Sequence, residues 1–103
     1  MIDVTKIKKY IDEMADELKG AKNYMEKALE YKAAGNSTRY ARYKEMSTQE
    51  LAHAMSLHEF AVQDIEQLKT VYPEIPQDMQ DEWDRSHAKF VEKAAWIRQM
   101  QTM

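Results

Sequence analysis

Apolar residues return every three or four positions along most of this chain, while glycine and proline, which would interrupt such a pattern, number two each. A recurrence near 3.6 residues is the period of an α-helix with one buried face. From about residue 3 to residue 34 the stripe runs through Ile7, Ile11, Met14, Leu18, Ala21, Met25 and Ala28. So few turn-forming residues leave little material for the connections of a β fold, and the chain is expected to be all-α.

Gly35 stands where a helix C′ glycine belongs, followed by Asn36 or Ser37 as N-cap of the next helix, so the connection is short and the two helices form an antiparallel hairpin. The second helix is expected over about 38–70, burying Tyr43, Met46, Leu57, Ala61, Ile65 and Leu68, with Glu50 and His53 in the same sector. Pro73 and Pro76 then break the pattern. A third helix is expected over about 77–100, with Met79, Trp83, His87, Phe90, Ala94 and Ile97 along one side and Val91 and Ala95 beside them. The whole, 1–103, reads as a single helical domain without internal repeat.

Helices of about 30 residues extend roughly 45 Å at 1.5 Å per residue, and a shorter third helix cannot cover both. Pairing of two hairpins into a four-helix bundle, as a homodimer or higher homo-oligomer, would bury the remainder. The net charge is −3, with lysines interspersed among acids, which gives no footprint for nucleic acid. With no cysteine there is neither disulfide nor thiolate chemistry. No run of about 18 apolar residues is present to span a membrane, and with no leader pattern at the start the expected location is cytoplasmic. A Gly-rich nucleophile elbow or phosphate loop is also missing, which argues against a hydrolase.

Chemistry is offered by a Glu-x-x-His step, Glu50 to His53, whose i, i+3 spacing lets a carboxylate and an imidazole reach one partner. On the first helix Tyr10, Glu17, Tyr24 and Tyr31 recur by seven and so form one line beside the apolar stripe. Glu17 is the odd member, a carboxylate that needs a cation, a metal or donors in such surroundings. Gly20 and Ala21 leave small-residue space one turn on. Counted from the turn, Glu17 and Glu50 differ in height by roughly 6 Å, which a short loop and side-chain reach can absorb. One chain holds half of a di-metal set. His58 lies roughly 140° around the helix from His53 and is expected at the core boundary with a satisfied hydrogen bond. Asp84-x-x-His87 repeats the ligand spacing, but His87 sits in an aromatic stripe and a packing role is expected. Met14, Met25, Met46 and Met79 read as core filling.

Over about Asp12 to Gln67 these residues resemble the encapsulated ferritins of the ferritin-like superfamily, where a glutamate followed seven residues on by a tyrosine joins a Glu-x-x-His on the next helix. The matching positions are Glu17, Tyr24, Glu50 and His53, within the strings Glu17-Leu18 to Tyr24 and Gln49 to Met55. The chain departs from the family's pattern at Asn23, where a tryptophan precedes the tyrosine. It also departs in a longer stretch between the glutamates, a longer third helix, and an ending, Gln99 to Met103, without an evident capsid-docking tail. The resemblance implies a two-helix half-ferritin whose ferroxidase centre forms between two subunits, assembled in rings within an encapsulin shell. It implies Glu17, Glu50 and His53 as catalytic iron ligands and Tyr24 behind them, orienting a ligand, donating an electron or simply packing. Carboxylates with imidazole suit iron. The rival expectations are an oligomeric structural or interaction protein without metal, such as a phage or accessory protein, and a ferritin-like fold whose ligands hold Mn or Zn structurally.

Overall fold

A computed structural model describes residues 4–71 and 75–103, and it contains three helices: α1 (Val4–Ala33), α2 (Ser37–Val71) and α3 (Gln77–Gln101). Each lies within a residue or so of its expected bounds; Asp3 and Pro73 fall outside the described residues. Among the described residues there is no strand, and no helix is long and apolar enough to cross a membrane.

The hairpin turn is built by backbone chemistry that the sequence announces. Gly35 takes φ 77°, the left-handed conformation that side chains disfavour. There its N–H donates to the Lys32 carbonyl at 3.1 Å and the Asn36 N–H donates to the Tyr31 carbonyl at 2.9 Å, satisfying the orphan carbonyls of α1. Asn36 is the N-cap: its Oδ1 accepts from the Arg39 N–H at 3.1 Å. At the other end, the Pro76 carbonyl accepts from the Met79 and Gln80 N–H groups, and α3 starts without a side-chain cap.

The stripe expected on α1 is the core face: Ile7, Met14, Leu18, Ala21, Met25 and Ala28 are buried, and Ile11 is packed against them partly buried. On α2 the buried set is Ser47, Leu51, Ala54, Ala61 and Ile65, whereas Tyr43, Met46, Leu57 and Leu68 flank it half-buried. The buried face is thus turned away from the sector of Glu50 and His53, toward Leu51 and Ala54. The small residues Ala21, Ala28, Ala54 and Ala61, all fully buried, sit in the interior while longer side chains fill its margins. On α3, Met79, Trp83, Phe90, Ala94, Ile97 and Met100 are buried, His87 is half-buried, and Val91 and Ala95 face solvent.

The helices run up, down and up, so that α3 returns to the hairpin turn, where Met100 joins Met25 and Ala28 and Lys32 Nζ donates to the Met103 carbonyl. The result is a rod of 57 × 17 × 17 Å. α3 lies chiefly against α1 and more lightly against α2. Its tie to α2 includes Ser47, whose buried hydroxyl donates to the Ala21 carbonyl at 2.7 Å and accepts from Gln101 Nε2 at 3.0 Å, joining all three helices. The groove on the other side of the hairpin, lined by Glu13, Asp16, Glu17, His53, Ser56 and Leu57, carries no α3 residue.

Candidate metal centre

Tyr10, Glu17, Tyr24 and Tyr31 are all half-buried, so the line that recurs by seven on α1 follows the margin of the core, as expected from its spacing. On α2 the turn of the buried face toward Leu51 leaves Glu50 half-buried and His53 exposed on the open side. The two helices bring one ligand atom each of Glu17, Glu50 and His53 within 4.8 Å of one another, and among the described residues this is the sole cluster of three or more such groups. The height difference counted from the turn is absorbed by the side chains.

The electrostatics of the trio are unbalanced. Glu17 Oε2 is buried without a hydrogen-bond donor, and His53 Nδ1 stands 3.7 Å from it. With its side chain 62 % exposed, His53 is screened by water and neutralises Glu17 weakly. Glu50 is held above the ordinary carboxylate range. Its protonated form hydrogen-bonds to Glu17, burial penalises its charge, and the Glu17 charge repels it, while His53 acts in the opposite direction. The missing donor at Glu17 and the shared proton are two faces of one fact, because Glu17 gains a donor only when Glu50 carries a proton. Two carboxylates in this state either share a proton or receive a cation.

Donors bound to a common ion through bonds of about 2.0–2.2 Å lie at most about 4.4 Å apart. The trio, its donor atoms all within 4.8 Å of one another, stands near the spacing a common ion requires, and its two oxygens and one nitrogen are donors that hard and borderline divalent cations accept. Glu13 and Asp16 on the rim of the same groove add negative potential that draws cations in.

Tyr24 sits further along α1 in an aromatic cluster, its ring 6.2 Å from Tyr43, which stacks on Tyr31 at 5.5 Å. Asp84 and His87 do not act together: Asp84 Oδ1 accepts from Gln80 Nε2, and His87 Nδ1 meets His58 Nε2 at 2.8 Å. The His58 ring lies flat on Phe90 at 4.6 Å and stacks near Trp83. His58 was expected at the core boundary with a satisfied bond and His87 to pack; that they bond to one another across α2 and α3 carries no signal in spacing along a single helix. Gly20 proves to lie beneath the Glu50 side chain, a role that only the small-residue space hinted at. Comparison with known proteins identifies nothing further, for no family model, curated protein or solved structure matches the chain.

Proposed function

We propose that the chain is an iron-binding, ferritin-like protein that oxidises Fe(II) at a di-iron centre shared between two subunits. The observation that carries this reading is the convergence of Glu17, Glu50 and His53 within 4.8 Å on the side of the hairpin that α3 leaves open. One chain brings two carboxylates and one imidazole, half of the four-carboxylate, two-imidazole set that a four-helix bundle uses to hold a metal pair. A second hairpin laid on the open side supplies the other half and completes the bundle. Phe60, 48 % exposed and seven residues from His53, lies on the same side of α2 and is an apolar contact for such a pairing.

In this reading Fe(II) is the substrate and dioxygen the electron acceptor. Glu17, with its orphaned oxygen, would bridge or chelate, and Glu50 and His53 would each hold one iron. Ligation requires the ionised carboxylates, and Glu50 holds its proton more tightly than an ordinary glutamate, so uptake competes with protons and weakens in acid. The resemblance gives Tyr24 a place behind the ligands, and its ring lies in the aromatic cluster with Tyr43, seven residues along α1 from Glu17.

Anaerobic addition of Fe(II) is expected to saturate near one iron per chain, the share that a pair of chains around two irons requires. Admission of air should then develop ferric absorbance faster than in Glu50→Ala or His53→Ala. Equal rates in all three proteins remove the ferroxidase reading. A second reading, an oligomeric helical scaffold or interaction protein without metal, is favoured by the exposed His53, whose contact with Glu17 at 3.7 Å requires no ion. It predicts that Glu50→Leu assembles as the wild type does and melts no lower, the desolvated carboxylate being gone.

A further inference from the structure

Of the two glycines, Gly35 is accounted for by its positive φ, and Gly20 is not. Gly20 lies in the interior of α1 with ordinary helical backbone, a place where glycine is disfavoured relative to alanine. Close approach of backbones does not explain it either, since Ala21, Ala28, Ala54 and Ala61 serve the fully buried positions and Gly20 is only half-buried. What lies over it is a single side chain. A Cβ added at Gly20 would stand 3.1 Å from Glu50 Oε2, 3.6 Å from Cδ and 3.7 Å from Cγ, so the end of Glu50 is laid against the α1 backbone.

We infer that Gly20 is a positioning residue of the metal centre: by lacking a Cβ it seats the Glu50 carboxylate against α1, within reach of Glu17 and His53. The inference rests on the metal-binding reading above and deepens it. A methyl group at 20 pushes the carboxylate outward from α1, and Glu17, one turn earlier on that helix, is what it leaves behind. All three donor atoms lie within 4.8 Å of one another, close to the span of about 4.4 Å that one ion allows, so a shift of the carboxylate by a few tenths of an ångström away from Glu17 loosens the set. The helix tolerates the methyl group and the ligand set does not.

The test compares wild type, Gly20→Ala and Gly20→Ser, with Mn(II) as an air-stable probe for hard donors. Affinity, read by calorimetry and by the paramagnetic resonance signal of free Mn(II), should fall about tenfold or more, the loss typical of disturbing a ligand's support, and further for Ser than for Ala. Helical content and the apo melting temperature should stay level or rise for Gly20→Ala. A second readout needs no metal: the nuclear Overhauser contacts of the Glu50 γ protons with the residue 20 backbone should be lost in the variants as the side chain moves off α1. Wild-type affinity and unchanged Glu50 contacts in Gly20→Ala overturn the inference, as does loss of helix in that variant, which would make Gly20 a packing requirement. A wild type that takes up no Mn(II) overturns the metal reading instead, and the Glu50 contacts still decide whether Gly20 seats that side chain.

Discussion

Two carboxylates that face one another with only an exposed imidazole between them set the ionisation of Glu50 against the fold. Its folded-state pKa is raised, through hydrogen bonding with Glu17, burial and repulsion, so the folded chain holds this proton more tightly than the unfolded chain does. By linkage, the resulting stability is fully present below the ordinary glutamate value of 4.5 and is lost as pH rises through the folded value. Glu50→Gln, which cannot ionise, should therefore gain in melting temperature on the metal-free wild type as pH climbs from 4 to 7 in calorimetric scans; a constant difference would mean that Glu50 titrates as it does in the unfolded chain. A bound cation reverses the balance, because it stabilises the ionised carboxylates in the folded chain. A divalent ion at a hundred times its Kd stabilises the wild type by about 2.7 kcal/mol, and the Gln variant should gain far less. That Glu17, Glu50 and His53 belong together was legible in the sequence because each relation is fixed by helical geometry: seven residues along one helix, three along the other, and a short turn between them. Gly20 was not legible as their support, since its occupant comes from another helix and nothing in α1 alone says which side chain will lie over it.

At the scale of the helices, the light contact between α2 and α3 depends on a few polar ties. Ser47→Ala removes both the donor to Ala21 and the acceptor for Gln101. It should cost about 1–3 kcal/mol, the penalty for leaving a partly buried polar group unpaired, measured as a lower denaturant midpoint with an unchanged slope. His58 and His87 make the second tie. Burial, and then the charge of His87, lower the pKa of His58, so the folded chain binds this proton less readily than the unfolded one. The stability it contributes is complete above the ordinary value of 6.5 and is lost as pH falls through the folded value. Trp83 stacks on the His58 ring and lies tilted against that of His87, and so reports the event. Its fluorescence and the melting temperature should fall together in acid for the wild type, and this arm should flatten in His58→Phe, which keeps the stack on Phe90 but has nothing to protonate. An acid limb of the same steepness in that variant would assign the effect to other groups. The helices and their ends were legible because periodicity, Gly35 and Asn36 are local signals. The face that α2 buries was misjudged toward Met46 and Leu57, because two neighbours, α1 and α3, draw it toward Ser47, Leu51 and Ala54, and periodicity in one helix cannot register a second neighbour.

As a whole the molecule is a thin rod, and a chain of 103 residues drawn out to 57 Å by 17 Å leaves much of each helix near solvent. Its exposed large apolar groups include Phe60 on the open side of the hairpin, and on α3 Val91 and Trp96, the latter beside α1. Only pairing on the open side brings the ligand trios of two copies face to face. A two-fold pairing there is isologous, so each residue in it acts twice and a single substitution is felt twice. Phe60→Lys should weaken self-association by ten- to a hundredfold or more, since fully covering a large apolar side chain is worth about 1.5–3 kcal/mol, about half of that remains to be gained at the half-exposed Phe60, and it is gained on both copies. Sedimentation equilibrium should show the wild type at twice the 12.2 kDa of one chain, or a multiple of it, and Phe60→Lys shifted toward a single chain. The rate of Fe(II) oxidation should fall with the associated fraction and recover as protein concentration rises. Val91→Lys, at an exposed position of α3, should leave both mass and rate unchanged. If Val91→Lys dissociates the assembly while Phe60→Lys leaves it intact, the copies meet through α3, their ligand trios point away from one another, and no shared centre forms between them.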